Sequence, residues 1–177
     1  MSIVLHGVAA GKGIAIGHAH LITRGAAEVP QYDIDPDKLE AEVARFDNAI
    51  KATRKELEQL RSAIPENAPT ELGAFISLHL MLLTDVTLSR EPIDILREQK
   101  INAEWALKQQ SDKLAAQFDS IDDDYLRERK QDMLQVVRRI HNNLVGQSNE
   151  INLAGNLFDD TVLIAHDLSP ADTVLFK

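Results

Sequence analysis

With 177 residues, 44% of them hydrophobic and 27% charged, the chain is long enough for one medium domain or two small ones with adequate cores. A formal charge of −9 disfavours nucleic acid and anionic membranes as partners and favours a basic one. The absence of cysteine excludes disulfides and thiolate chemistry, and with no long apolar run and no signal-peptide pattern a cytoplasmic setting is expected.

Residues 3–8 and 14–22 predict strands, because β-branched residues recur with partial alternation and the glycines between them mark a turn. Ile14, Ile16, His18, His20 and Ile22 share one face of the second strand. Both of its faces are apolar or small, as in a sheet covered on both sides. Gly7, Gly11, Gly13 and Gly17 do not form a phosphate loop. Three residues rather than four separate Gly7 from Gly11-Lys12, and a strand rather than a helix follows. Residues 24–34 read as a connector.

The pattern then changes. Asp35, Pro36 and Asp37 open a helix in which Leu39, Val43, Phe46, Ile50, Leu57, Leu60 and Ile64 recur at near-heptad spacing, with a gap at Thr53. That seam suits a long antiparallel hairpin or bundle, and Pro65 ends it. Pro69-Thr70-Glu71 opens a second helix whose centre, Phe75 to Asp85, is apolar almost all round. Leu72, Phe75, Ile76, His79 and Leu83 fall on one side. Ser77, Leu78, Met81 and Asp85 fall largely on another. Such a helix is either buried all round or presents its second face to a partner.

Asp85 to Ser89 predicts an interruption, followed by helices over about 90–99 and from Ile101-Asn102-Ala103 to about Phe118. Asp119 to Asp124 is an acidic turn. A last long helix, about 123–145, is expected to bury Leu126, Met133, Val136, Val137, Ile140 and Leu144, with Gly146 just past its end. Thr161–Ala165 predicts a short buried strand, and Ser169-Pro170 a further helix start that is cut short at Lys177. The fold class is therefore mainly α with an α/β part. A helical subdomain at 34–146 is inserted between pieces of an α/β subdomain at 1–33 and 147–177.

Six histidines are candidates for chemistry. His18 and His20 lack a third metal ligand nearby, and His6 and His141 lack a partner motif. His166-Asp167 follows a strand, a common place for a site, but a single pair is little. No nucleophile arrangement or paired carboxylates stand out. His79 is either a core histidine with one hydrogen-bond partner or a partner-facing histidine flanked by Met81 and Leu82. In the second reading Asp85, Leu88, Phe118, Asp123, Leu126 and Glu128 complete an apolar face ringed by acids, suited to a small basic protein.

Three motifs carry a family resemblance: His79-Leu-Met-Leu-Leu-Thr-Asp85, Asp122-Asp-Asp-Tyr-Leu-Arg-Glu-Arg129 and Val162-Leu-Ile-Ala-His-Asp-Leu-Ser-Pro170. With the opening Gly7-Val-Ala-Ala-Gly-Lys-Gly-Ile-Ala-Ile-Gly17, they resemble enzyme I of the bacterial phosphoenolpyruvate:sugar phosphotransferase system. Gly11-Lys12 stands where that family usually has Ser-Pro. The resemblance implies a helical subdomain that docks the phosphocarrier HPr, inserted in a swivelling α/β subdomain that carries a phosphorylated histidine. It also implies a separate C-terminal barrel that binds phosphoenolpyruvate and magnesium and drives dimerisation.

Carried onto matching positions, the resemblance gives a docking surface of Glu71, Ala74, His79, Met81, Leu82, Asp85 and Leu88, with Phe118, Leu126 and Arg129 from later helices. The family's phospho-accepting histidine stands in a Gly-Gly-x-Thr-Ser-His motif, somewhat after the Asp-Leu-Ser-Pro segment. That motif is absent from these 177 residues, so the active-site histidine is expected beyond Lys177. The chain is therefore expected to carry no catalytic histidine, to bind no metal and to be inactive alone. A non-enzymatic helical adaptor for a basic protein is the alternative.

Overall fold

The computed structural model describes residues 13–22, 29–147 and 160–165, without the side chains of residue 22 and residues 124–128. These residues fall into two units. The first contains β1 (His18–Ile22) and β2 (Thr161–Ala165), which pair in parallel with His18 opposite Thr161 and Ile22 opposite Ala165. The His18 amide donates to the Asp160 carbonyl at 2.8 Å, starting the ladder. Gly17 is required there, because a Cβ would run into the Asp160 backbone.

Two expectations for this unit are corrected. The predicted strand 14–22 is regular only from His18, and Ile14 and Ile16 are 96% and 92% exposed rather than covered. β2 is half-buried, with Ile164 exposed. The strand predicted at 3–8, His6, His166-Asp167 and the helix from Ser169 to Lys177 lie outside the described residues. The expectation of an active-site histidine beyond Lys177 falls outside them as well.

The second unit is helical: α1 (Leu39–Ser62), α2 (Thr70–Leu82), α3 (Val86–Ser89), α4 (Glu91–Gln99), α5 (Ala103–Asp119) and α6 (Asp124–Leu144). A single 3₁₀ turn, Pro36–Lys38, leads into α1. Asp35 begins it through its carbonyl, which accepts from the Lys38 amide, and its side chain makes no cap bond. The predicted seam of α1 is observed. Val43, Phe46, Ile50 and Leu57 are buried against Ile76, Leu83, Leu96, Leu107, Val136 and Ile140. Burying each such side chain contributes about 1.5–3 kcal/mol, so α1 is the spine of the unit. Its gap at Thr53 is a junction. The buried Thr53 hydroxyl donates to the Ala49 carbonyl at 2.8 Å and accepts from Asn143 Nδ2 at 3.1 Å, tying α1 to α6.

α6 ends as predicted. Gly146 takes a left-handed conformation, φ 67, and the Gln147 amide reaches back to the Asn142 carbonyl at 2.8 Å. α4 ends on Lys100, which adopts φ 54 without being glycine. The Lys100 carbonyl accepts from the Ile34 amide at 2.7 Å, and Asp33 bridges Ile101. The segment before α1 is thereby stitched to the α4–α5 junction.

A half-buried ionic cluster reinforces that junction. The Arg45 guanidinium forks onto both oxygens of Glu104 at 2.7 Å and onto Glu42 at 2.6 and 3.0 Å, and it also donates to the Leu144 carbonyl at 2.9 Å. Asn102 Nδ2 donates to Glu104 and to the Pro30 carbonyl, and its Oδ1 accepts from the Tyr32 amide. The Ala103 amide, left open at the start of α5, donates to Glu42. Burial pushes the Glu104 carboxyl up, and the bonds from Arg45 and Asn102 overcome it, so the group is held below its ordinary value.

Candidate functional site

The second apolar face of α2 is the first place to look for a partner surface. Ile76, His79 and Leu83 are buried, and Leu72 and Phe75 are half-buried beside them. Ser77, Met81 and Asp85 face solvent, and Leu78 is half-buried. The two faces are thus the two read from the periodicity, and the second one is open. Met81 is 61% exposed, which for an unbranched apolar side chain is an available contact.

α2 stops at Leu82, and α3 starts at a new angle. The Asp85 carboxylate caps it, accepting from the Thr87 amide at 2.9 Å and from the Thr87 hydroxyl at 2.7 Å. Val86, the next residue, is also 61% exposed. No single helix among the described residues is long and apolar enough to cross a membrane. The bent pair Thr70–Leu82 and Val86–Gln99, turned by 61°, would be by length and composition, yet its Ile76, Leu83, Leu88, Ile93 and Leu96 are buried in the protein core.

Of the remaining expected contact residues, Glu71 and Ala74 are exposed on α2, and Leu82 is half-buried at its end. Phe118 is half-buried on the last turn of α5 and packs on the core. Arg129, on α6, is half-buried, and its Nη1 donates to Asp132 at 3.3 Å. The side chain of Leu126 lies outside the described residues. Two of the expected contact residues are buried in the chain by itself. His79 is 0% exposed and Leu88 is 1% exposed, so neither reaches a partner at the surface. Both belong to the packed side, where the helical period puts them. Val86 and Ile121 are exposed apolar residues that sequence reasoning passed over. The signal for Val86 was its position directly after a capping Asp.

The His79 ring lies 4.1 Å from Phe75, centroid to centroid, tilted by 51°. Neither ring nitrogen has a hydrogen-bond partner among the described residues. Burial, and then the positive charge of Arg139, lower its pKa to about 4, so the ring is neutral at pH 7. The expectation of a core histidine is met in its burial and not in its hydrogen bond. Acidic groups cluster where α5 turns into α6. Asp119, Asp122 and Asp123 are exposed, and Lys130 holds both oxygens of Asp119 at 2.7 and 2.6 Å.

In the strand unit His18 Nδ1 meets Asp160 Oδ2 at 3.2 Å, both well exposed. Among the described residues no group of three or more metal-ligating side chains comes together.

A family model described as PEP-utilising enzyme, N-terminal, matches residues 6–129. The chain belongs to this family. Among curated relatives of this PEP-utilising family member, the phosphoenolpyruvate-protein phosphotransferase of Cupriavidus necator is 42% identical over 184 residues, covering 100% of the chain and 31% of the relative. That of Bacillus subtilis is 34% identical, covering 96% and 29%. The chain thus spans about a third of the length of the curated relatives it matches.

A solution NMR structure of an Enzyme I protein, nEIt, is similar with a TM-score of 0.76 at 32% identity, over 95% of this chain and 67% of that one. A structure described as the N-terminal domain of Enzyme 1, Nitrogen, gives 0.66 at 25% identity, over 92% and 65%. The resemblance to enzyme I drawn from the motifs is borne out, and so is the fold class, a helical unit with a small α/β part. The family is enzymatic by the names of its members.

Proposed function

We propose that this chain is the carrier-docking part of a phosphoenolpyruvate-protein phosphotransferase, and that its open α2–α3 face receives HPr. The observation that carries this is the exposure of Met81 at the end of α2 and Val86 at the start of α3, on either side of the capping Asp85, while Ile76, His79 and Leu88 of the same two helices are core. Apolar anchors beside carboxylates, on a chain of net charge −9, favour a basic protein through steering and a desolvated centre. Glu71, Ala74, Met81, Leu82 and Asp85 would meet it directly, with Phe118, Arg129 and Leu126 from the later helices. His79 and Leu88 would support the face from beneath.

In the whole enzyme, phosphate from phosphoenolpyruvate would pass through a histidine beyond Lys177 to the carrier histidine. The protein's part would be positioning and charge stabilisation. Magnesium does not fit the described residues, which bring together no metal-ligating group, so its site and that of phosphoenolpyruvate are proposed elsewhere in the enzyme. Dimerisation is likewise assigned outside the chain, and the setting is cytoplasmic. The helical insert is proposed to occupy 34–146, between α/β pieces at 1–33 and 147–177.

An NMR titration with HPr tests the docking. Saturable shifts confined to 71–88 and 118–129 support it, and no saturable shift rejects it. Incubation with phosphorylated HPr tests the expected inactivity, since a stable phosphohistidine on this chain would overturn it.

A further inference from the structure

His79 occupies one of the few buried positions of α2. The helix buries two of its own side chains, Ile76 and His79, and Leu83 follows at its end. α1 and α5 each bury six. One of the two buried side chains of α2, a helix that packs on α1 and α6, is therefore an imidazole with both nitrogens unsatisfied among the described residues. A neutral ring in tilted contact with Phe75 tolerates that place as an apolar plug. A charged ring does not, because it would be desolvated and would meet the field of Arg139 from α6.

We propose that His79 makes α2 an acid-sensitive latch: taking up a proton releases α2, with the open face it carries, from α1 and α6 while the rest of the helical unit stays closed. The inference rests on the burial of His79, whatever partner the face receives.

The groups around the ring set the direction. Arg139 is the charge acting on it, from α6, and among the described residues no ionised group of α1 or of α2 adds to its titration. The ring's folded-state pKa, about 4, lies below its ordinary 6.5, so the opened helix binds the proton first. The closed state is then fully favoured above pH 6.5 and loses ground as pH falls toward about 4. The Arg45 cluster does not share this weakness, because its Glu104 carboxyl is held low.

Amide hydrogen exchange on the 177-residue chain, corrected for intrinsic rates, reads the latch. The ratio of α2 opening to α5 opening is expected to rise about tenfold for each pH unit below roughly 6, and His79→Leu is expected to flatten that rise. Equal α2 protection at about pH 7.5 and about pH 4.5 overturns the proposal, as does an unchanged acid rise in His79→Leu. If the variant fails to fold, the wild-type ring nitrogens give the second reading. Protonation that coincides with loss of α2 protection supports the latch. Protonation with α2 still closed overturns it.

Discussion

The Arg45 cluster and the His79 pocket bury polar groups in the same helical unit by opposite means. At the cluster, Arg45, Glu42, Glu104 and Asn102 satisfy one another and four backbone groups, at Pro30, Tyr32, Ala103 and Leu144. At the pocket one imidazole has only packing. A satisfied network in a low dielectric holds its members in one arrangement, whereas an unsatisfied group stores a penalty that opening relieves. The cluster fixes the start of α1, the α4–α5 junction and the end of α6. The pocket leaves α2, which carries the open face, as the loosely held element. Rigidity at the root and lability at the contact helix are a sensible division for a docking module.

The contrast breaks first at Glu104. Glu104→Ala would take one of two carboxylates from a guanidinium that is one-third exposed, leaving it Glu42, and would leave Asn102 short of an acceptor, costing roughly 3 kcal/mol in urea unfolding. A cost below about 1 kcal/mol would mean the cluster is ornamental.

The pocket is probed by pH. Lowering pH from 6.5 to about 4 should remove up to roughly 3 kcal/mol of α2 stability, since each pKa unit is worth about 1.4. His79→Leu should abolish that dependence and stabilise the chain at neutral pH by about 1 kcal/mol, read from the urea midpoint. The smallest effect belongs to Thr53→Val, which keeps the shape but loses the hydroxyl between α1 and α6. It should cost about 1 kcal/mol and leave α2 exchange unchanged.

Local features were legible in the sequence because they repeat locally. The α1 seam, the interruption beginning at Asp85 and the helix end at Gly146 all follow from period and turn chemistry. The two faces of α2 were legible for the same reason, and they put His79 on one side with Ile76 and Leu83, while its facing the core or a partner stayed open until the structure showed it buried. The docking-surface expectation for His79 and Leu88 came instead from positional resemblance, which carries identity but not orientation.

The Arg45 cluster was not legible. It joins residues 42–45, 102–104 and 144, separated by 59 to 99 positions, and nothing in the local pattern of any one announces the others. Lys100 gave no signal either, since lysine is not the residue that a left-handed helix end favours. The exposure of the β1 face was misread because alternation reports which residues share a face and not whether another layer covers it.

The central claim is that the open face of α2 and α3 is the carrier surface. Met81→Asp tests it most directly, because the side chain is 61% exposed and its replacement should leave the fold intact. Calorimetric titration with HPr should show binding weakened by at least about tenfold, roughly 1.4 kcal/mol, with helical content and melting temperature unchanged. Wild-type affinity in a folded Met81→Asp chain would contradict the account.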